Sequence, residues 1–212
     1  MIEVLSGTEN MKRDFQNLLK AEEGMGPLFR LYAWKEPTVS VGLFQELREF
    51  PVCVVRRPTG GGALLHGWDI SFSVADLKER WGKNYKVIYL SFMNSLKKHL
   101  EKFGITLEIS KYSGAYDGYF CFYHPTFGEL TYGGKKIVAC AMRGLRRSFL
   151  LHGSLFLRFD YDFAQRITGV PKEVLKDRLI SFEELGIGQK ELLNVLGDFF
   201  ASLRLRKTSD SL

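Results

Sequence analysis

The chain has 212 residues, of which 45% are hydrophobic and 14% aromatic, with 17 Phe. That is enough for one domain with a sizeable core, and it excludes general disorder. The formal charge is +6, and no nucleic-acid module is present among scattered basic residues, so the charge points to an acidic protein partner and not to nucleic acid.

No apolar run reaches the length of about 18 that a transmembrane helix needs, and the start MIEVLSGTENMKRDFQ lacks a signal-peptide core. The expectation is therefore a cytoplasmic protein without a membrane partner. Cys53, Cys121 and Cys140 are odd in number and lack metal-ligand spacing, which argues against a disulfide framework and against a zinc site.

In chain order, Ile2–Leu5 reads as a short strand. Residues 10–23 place Met11, Phe15, Leu18, Leu19 and Glu22 at helical spacing, stopped by Gly24–Pro27. Leu28–Trp34 and Thr38–Phe44 are strand-like runs split by Glu36-Pro37, and Val52–Val55 leads into Arg56 and a glycine-rich loop. A strand follows at Ile70–Ala75 and an amphipathic helix at 84–103, stopped by Gly104. Ile105–Ile109 reads as a strand. Phe127–Tyr132 and Lys135–Met142 flank the hairpin signal Gly133-Gly134, and Phe149–Phe159 is another strand. Helices are expected near 161–168, from Pro171, and over Gln189–Leu205. Hairpins outnumber strand–helix alternations, so the class is α+β: a mixed, largely antiparallel sheet flanked by helices, one domain over 1–212.

Four constellations carry chemistry. In Arg56-Arg57-Pro58-Thr59-Gly60-Gly61-Gly62-Ala63-Leu64-Leu65-His66, three glycines let backbone approach a ligand, two arginines can clamp an anion, and His66 can orient it. The bland reading is a glycine turn beside surface arginines. In Gly134-Lys135-Lys136-Ile137-Val138-Ala139, alternation puts Lys136, Val138 and Cys140 on one strand face and Lys135 on the other. Taken alone, each lysine reads as an exposed hairpin charge, and Lys136→Ala is expected to leave the fold intact. His152-Gly153 sits in a strand, and Cys121 opens CFYHPTFGEL. A lone thiol is usually a small buried hydrophobe.

Together these strings resemble the lipoate–protein ligase and octanoyltransferase superfamily, which shares its catalytic-domain fold with biotin protein ligases. The resemblance covers roughly residues 10–190. RRPTGGGALLH is similar to the signature RRxxGGxxxxH, and LYAWKEPTVSVGLFQ to a segment closing in Gly-x-x-Gln. GGKKIVACAMR resembles the segment that carries the family's essential lysine, here Lys136. LLHGSL resembles its HGS strand, and ISFEELGI its closing loop. The acid that commonly follows the signature histidine is replaced by Gly67.

The resemblance implies a biotin/lipoyl protein ligase catalytic-domain fold and an enzyme acting on an octanoyl or lipoyl group. It makes Arg56, Arg57, Gly60, Gly61, Gly62, His66, His152 and Gly153 substrate-binding residues, and Lys136 the group that stabilises charge on the acyl carbonyl.

Two chemistries remain open. In one, acyl carrier protein gives octanoyl to a cysteine thioester, which passes it to a lysine of a lipoyl-domain protein or H-protein. CFYHPTFGEL resembles the CFxxPxxxEL loop of the cysteine-dependent enzymes, with the cysteine 15 residues before the lysine, so Cys121 is the candidate nucleophile. In the other, an ATP- and magnesium-dependent ligase forms lipoyl-adenylate. No permanently bound cofactor is implied by either. The C-terminal accessory domain of many ligases is not expected here. Cys140 takes the family's usual serine position, and Cys53 lies in an apolar strand; both read as packing residues.

Overall fold

The structure, a computed structural model, describes residues 2–82, 84–112, 114, 118–122 and 124–209; Tyr123, inside the CFYHPTFGEL string, lies outside them. In chain order the elements are β1 (Glu3–Leu5), α1 (Gly7–Glu22), β2 (Leu28–Trp34), β3 (Thr38–Val41), β4 (Cys53–Arg56), β5 (Leu64–His66), β6 (Ile70–Leu77), α2 (Tyr85–Leu100), β7 (Glu108–Ile109), β8 (Leu130–Tyr132), β9 (Lys135–Gly144), β10 (Ser148–Leu155), α3 (Tyr161–Thr168), α4 (Lys172–Arg178) and α5 (Gln189–Ser209).

A seven-stranded sheet runs β1-β2-β6-β10-β9-β8-β7, parallel only at β1–β2. A three-stranded sheet runs β4-β3-β5, parallel at β3–β4 and antiparallel at β3–β5. The mixed, largely antiparallel architecture of the sequence reading is what forms. β5 was not foreseen as a strand. Its three residues are all buried and show no alternation to read, and it pairs with β3 only because the glycine loop turns the chain back. The second sheet also ends at Val41, so the expected strand to Phe44 is cut short; Phe44 is exposed in the loop beyond it.

Alternation divides the large sheet into two working faces. Ile70, Phe72 and Val74 of β6 and Phe149, Leu151 and Leu155 of β10 pack against Phe92 and Leu96 of α2 and Leu196 and Phe199 of α5. The rings of Phe72 and Phe92 stack at 5.3 Å. Each such buried side chain contributes about 1.5–3 kcal/mol, and this layer makes the sheet a rigid platform. The opposite face is polar: Ser71 and Ser73 of β6 and His152 and Ser154 of β10 are buried there. Part of that face is covered by α1, whose Leu18 and Ala21 meet Ala75 and Leu150. Near the ends of β2 and β10 the three-stranded sheet takes over, and the site lies between the two sheets.

Candidate functional site

A half-open pocket with about 480 Å³ of empty space, part of it open to solvent, lies between the sheets. The large sheet contributes Tyr32, Trp34, Ser71, Ala139, Cys140, His152 and Gly153 to its walls, and the small sheet contributes Ser40, Leu64 and His66. Gly61, Gly62, Arg57, Cys121 and Glu129 complete it.

Arg57 shapes the glycine loop. Its Nε and Nη2 donate to the Gly60 carbonyl at 3.2 and 2.7 Å, Nη2 to the Gly62 carbonyl at 2.8 Å, and Nη1 to the Ser40 carbonyl at 3.1 Å. The loop therefore wraps a buried guanidinium. Gly61 takes φ +94°, a conformation that disfavours a side chain, and a Cβ on Gly42 would stand 2.0 Å from the Gly61 carbonyl oxygen. Arg56 does different work. Its Nη1 donates to the carbonyls of Gly42, Leu43 and Gln45 at 2.8–3.0 Å, outside the cavity.

The same loop delivers Cys121, 58 positions beyond Ala63 in sequence. Ala63 N–H donates to the Tyr119 carbonyl and Cys121 N–H to the Ala63 carbonyl, each at 2.9 Å. Gln45, the Gln of the Gly-x-x-Gln string, adds a second tie: its Nε2 donates to the Tyr119 carbonyl at 2.8 Å while Gly42 N–H donates to its Oε1. A Cβ on Gly62 would lie 3.4 Å from the Cys121 Cβ. Cys121 is buried, and the rings of its chain neighbours Phe120 and Phe122 stack on one another at 5.6 Å. Burial pushes the thiol's pKa up. Lys136 and Arg57 pull it down and Glu129 pushes it up, and the balance stays above the ordinary thiol value.

Lys136 is fully buried, so it is not an exposed hairpin charge. Its Nζ donates to the Cys121 carbonyl at 2.6 Å and pairs with Glu129 Oε2 at 2.8 Å. Glu129 lies in the quoted CFYHPTFGEL string, yet the sequence reading gave it no role. It also accepts from Thr126 N–H at 2.6 Å and, through Oε1, from Cys140 N–H at 3.3 Å. Lys135 points away, half-buried, and donates to the Lys176 carbonyl. Cys140 is the more firmly protonated thiol, since burial first and Glu129 second push its pKa far above the ordinary value. It donates to the His152 carbonyl at 3.2 Å. Cys53 packs against the cluster of Met11, Tyr32, Trp34 and Val55.

Two histidine relays flank the cavity. His66 is stacked on Trp34 at 3.9 Å, with Nδ1 2.9 Å from Asp69 Oδ2 and Nε2 2.8 Å from Ser40 Oγ. His152 has Nδ1 2.9 Å from Asp14 Oδ2 and Nε2 2.7 Å from Thr59 Oγ1. In each, the ring bridges a carboxylate at Nδ1 and a hydroxyl at Nε2. Asp69 is held at a pKa of about 2: burial opposes its ionisation, but His66, Ser154 and the Gly67 N–H outweigh it. Asp14 is fixed by Arg30 and by the Tyr32 hydroxyl at 2.9 Å.

The acid missing after His66 is thus supplied two residues later. Gly67, at φ +147°, turns the chain so that Asp69 folds back and its Oδ1 accepts from Gly67 N–H. Asp14 and Asp69 were missed because neither stands where the resemblance looked. Among the described residues, no group of His, Cys, Asp and Glu is placed to hold a metal. No described helix is long and apolar enough to cross a membrane.

A buried thiol, a lysine beneath its backbone and a glycine loop shaped by arginine, all set on a mixed sheet, define a class of acyl-handling domain. Residues 8–188 match the lipoyl protein ligase A/B catalytic domain family, and the chain belongs to that family. It is 33% identical over 187 residues to the octanoyltransferase LipM of Carboxydothermus hydrogenoformans, covering 82% of this chain and 70% of that protein. To the octanoyltransferase LipM of Moorella thermoacetica it is 32% identical over 203 residues, covering 87% and 74%. A solved structure of lipoate-protein ligase A bound with ATP superposes with a TM-score of 0.76 over 95% of this chain and 83% of that one, at 19% identity, and so shares the fold.

Proposed function

We propose that this enzyme is a cytoplasmic octanoyltransferase that takes octanoyl from acyl carrier protein, holds it as a thioester on Cys121, and passes it to a lysine of a lipoyl-domain protein or H-protein. Octanoyl transfer in protein lipoylation is the activity for which the curated relatives are named. The observation that carries the finer reading is the placement of Cys121: in the cavity wall, against Gly62, with Lys136 Nζ 2.6 Å from its own carbonyl.

In the first half-reaction Cys121 Sγ attacks the carbonyl carbon of the donor thioester. The bond to the donor sulfur breaks, and that sulfur leaves with the proton the cysteine gave up. In the second, the acceptor amine attacks the Cys121 thioester, an amide bond forms, the bond between the acyl carbon and Cys121 Sγ breaks, and the sulfur takes one proton while a second goes to solvent. Lys136 and Arg57 oppose the effect of burial on the thiol and supply positive charge where the tetrahedral oxygen grows. The octanoyl methylenes lie in the cavity between Trp34, Leu64 and Ala139, where burial stabilises each by about 0.8 kcal/mol. Three unbridged cysteines suit a reducing compartment.

Intact mass after mixing with octanoyl carrier protein tests the mechanism. One octanoyl group is expected on the wild type and none on Cys121→Ser, with Cys53→Ser and Cys140→Ser labelled normally. Octanoylation of a lipoyl domain by Cys121→Ser at near wild-type rate, dependent on ATP and magnesium, overturns the thioester in favour of the ligase chemistry.

A further inference from the structure

The acyl cavity does not end at its own walls. Gly61, Cys140 and Ala141 also line an open groove on the surface, so the groove adjoins the chamber that holds Cys121 at those three residues. One side of the groove is the first turn of α2, with Tyr85 and Lys86, and the other is Lys111 with Phe127. Lys86, Lys111, Tyr85 and Phe127 are all exposed. Lys86 Nζ sits 5.0 Å from the centre of the Phe127 ring, and the Tyr89 hydroxyl donates to the Cys140 carbonyl at the inner end. Among the described residues lining the groove are two lysines and no acid.

A channel with cations at its outer end, aromatic sides and a thiol behind its inner end has the polarity of one kind of substrate: a thioester on a flexible arm that carries an anion well away from its sulfur. We infer that this groove receives the phosphopantetheine arm of the acyl donor, with Lys86 and Lys111 holding its phosphodiester while the thioester reaches Cys121. The inference rests on the carrier-protein donor proposed above. An acceptor lysine fits the groove poorly, because its ammonium would enter between two ammonium groups.

A second groove, lined by Lys12, Arg56 and Arg143, opens on the Met11 and Arg57 side of the cavity. There Arg56 and Arg143 already donate to the carbonyls of Gly42, Leu43, Gln45 and Pro58. Those two cations serve the loops, which leaves the Lys86–Lys111 groove as the better anion site.

Steady-state transfer by Lys86→Glu/Lys111→Glu tests this with three donors: octanoyl carrier protein, octanoyl-phosphopantetheine, and octanoyl-N-acetylcysteamine, which has no phosphate. KM is expected to rise at least about tenfold for the first two, the size of losing solvent-exposed charge contacts to a phosphate, and to stay unchanged for the third. The KM for the lipoyl domain stays at the wild-type value, as does transfer by the control Lys98→Glu, an exposed lysine 12 residues further along α2. An equal loss with all three donors, no loss with any, a shift in acceptor KM instead, or a loss produced by Lys12→Glu and not by the Lys86/Lys111 variant overturns the assignment. A wild type that uses no thioester donor at all refutes the parent reading, a different outcome from any of these.

Discussion

Removing Lys136 is expected to cost stability as well as activity. Its Nζ and the Glu129 carboxylate form an ion pair 2.8 Å long, with side-chain exposures of 0% and 3%. Lys136→Met strands a carboxylate in the protein interior, a change that costs about 3–5 kcal/mol. Against a total stability of about 5–15 kcal/mol, that is about a fifth or more. For a chain of this length the melting temperature should fall by about 10 °C. The double variant Lys136→Met/Glu129→Gln removes both charges, and it should recover most of the loss because an uncharged amide is far less costly to bury than an unpaired carboxylate. Urea unfolding of the two single variants, the double variant and wild type gives the coupling directly. A loss below about 1 kcal/mol in Lys136→Met, the size of a surface pair, would refute the buried-pair reasoning. Activity then separates structure from chemistry. If the cation beneath Cys121 drives acylation, the double variant is stable and inactive; a stable double variant with wild-type turnover would leave Lys136 only a structural role.

Three further outcomes follow from the same contacts. Asp69 has its pKa depressed from 3.8 to about 2, so the stability it contributes is present above about pH 4 and lost as pH falls towards 2. Wild type should lose about 2 kcal/mol more than Asp69→Asn over that interval by denaturant titration, and parallel curves for the two proteins would contradict it. Gly62→Ala places a methyl 3.1 Å from Cys121 N and 3.4 Å from its Cβ, so acylation of Cys121 should slow by about 10- to 100-fold at little cost in unfolding free energy. Stopped-flow acylation within twofold of wild type would show that this contact does not set the thiol's position. A chain of charge +6 should meet acidic protein substrates faster at low salt, so kcat/KM should fall as salt rises from about 0.02 to about 0.3 M. A flat profile would remove the electrostatic contribution.

Elements bounded by strong local chemistry were legible in the sequence. β2 falls on the residues expected, and α2 is capped at its start by Asn84, whose side chain accepts from Val87 N–H. The edge strand β7 shrank to Glu108–Ile109 because pairing with β8, and not composition, decides its length. Within the site, the residues named from motif strings lie on or beside one cavity, with Arg56 and Lys136 set behind its walls. What the strings could not show was how their polar groups are satisfied. His152 meets an acid 138 positions away on α1, a relation that no local pattern carries. The burial of Lys136 was equally hidden: strand alternation gives its face, but the partner that makes an interior lysine tolerable comes from the chain segment before β8.

The two half-reactions proposed for Cys121 place different demands on this site. Thiol–thioester exchange has no net proton change, since the donor sulfur leaves with the proton that Cys121 loses. A thiol whose pKa burial has raised is therefore no obstacle to overall balance, and it remains protonated until a donor reaches it. Transfer to lysine is different. The acceptor arrives as an ammonium and ends as an amide, losing two protons, of which the cysteine sulfur takes one. The other must pass to a base within hydrogen-bond reach of the attacking nitrogen. On the thioester reading, acyl capture therefore conserves protons, whereas acyl delivery releases one for each lysine acylated.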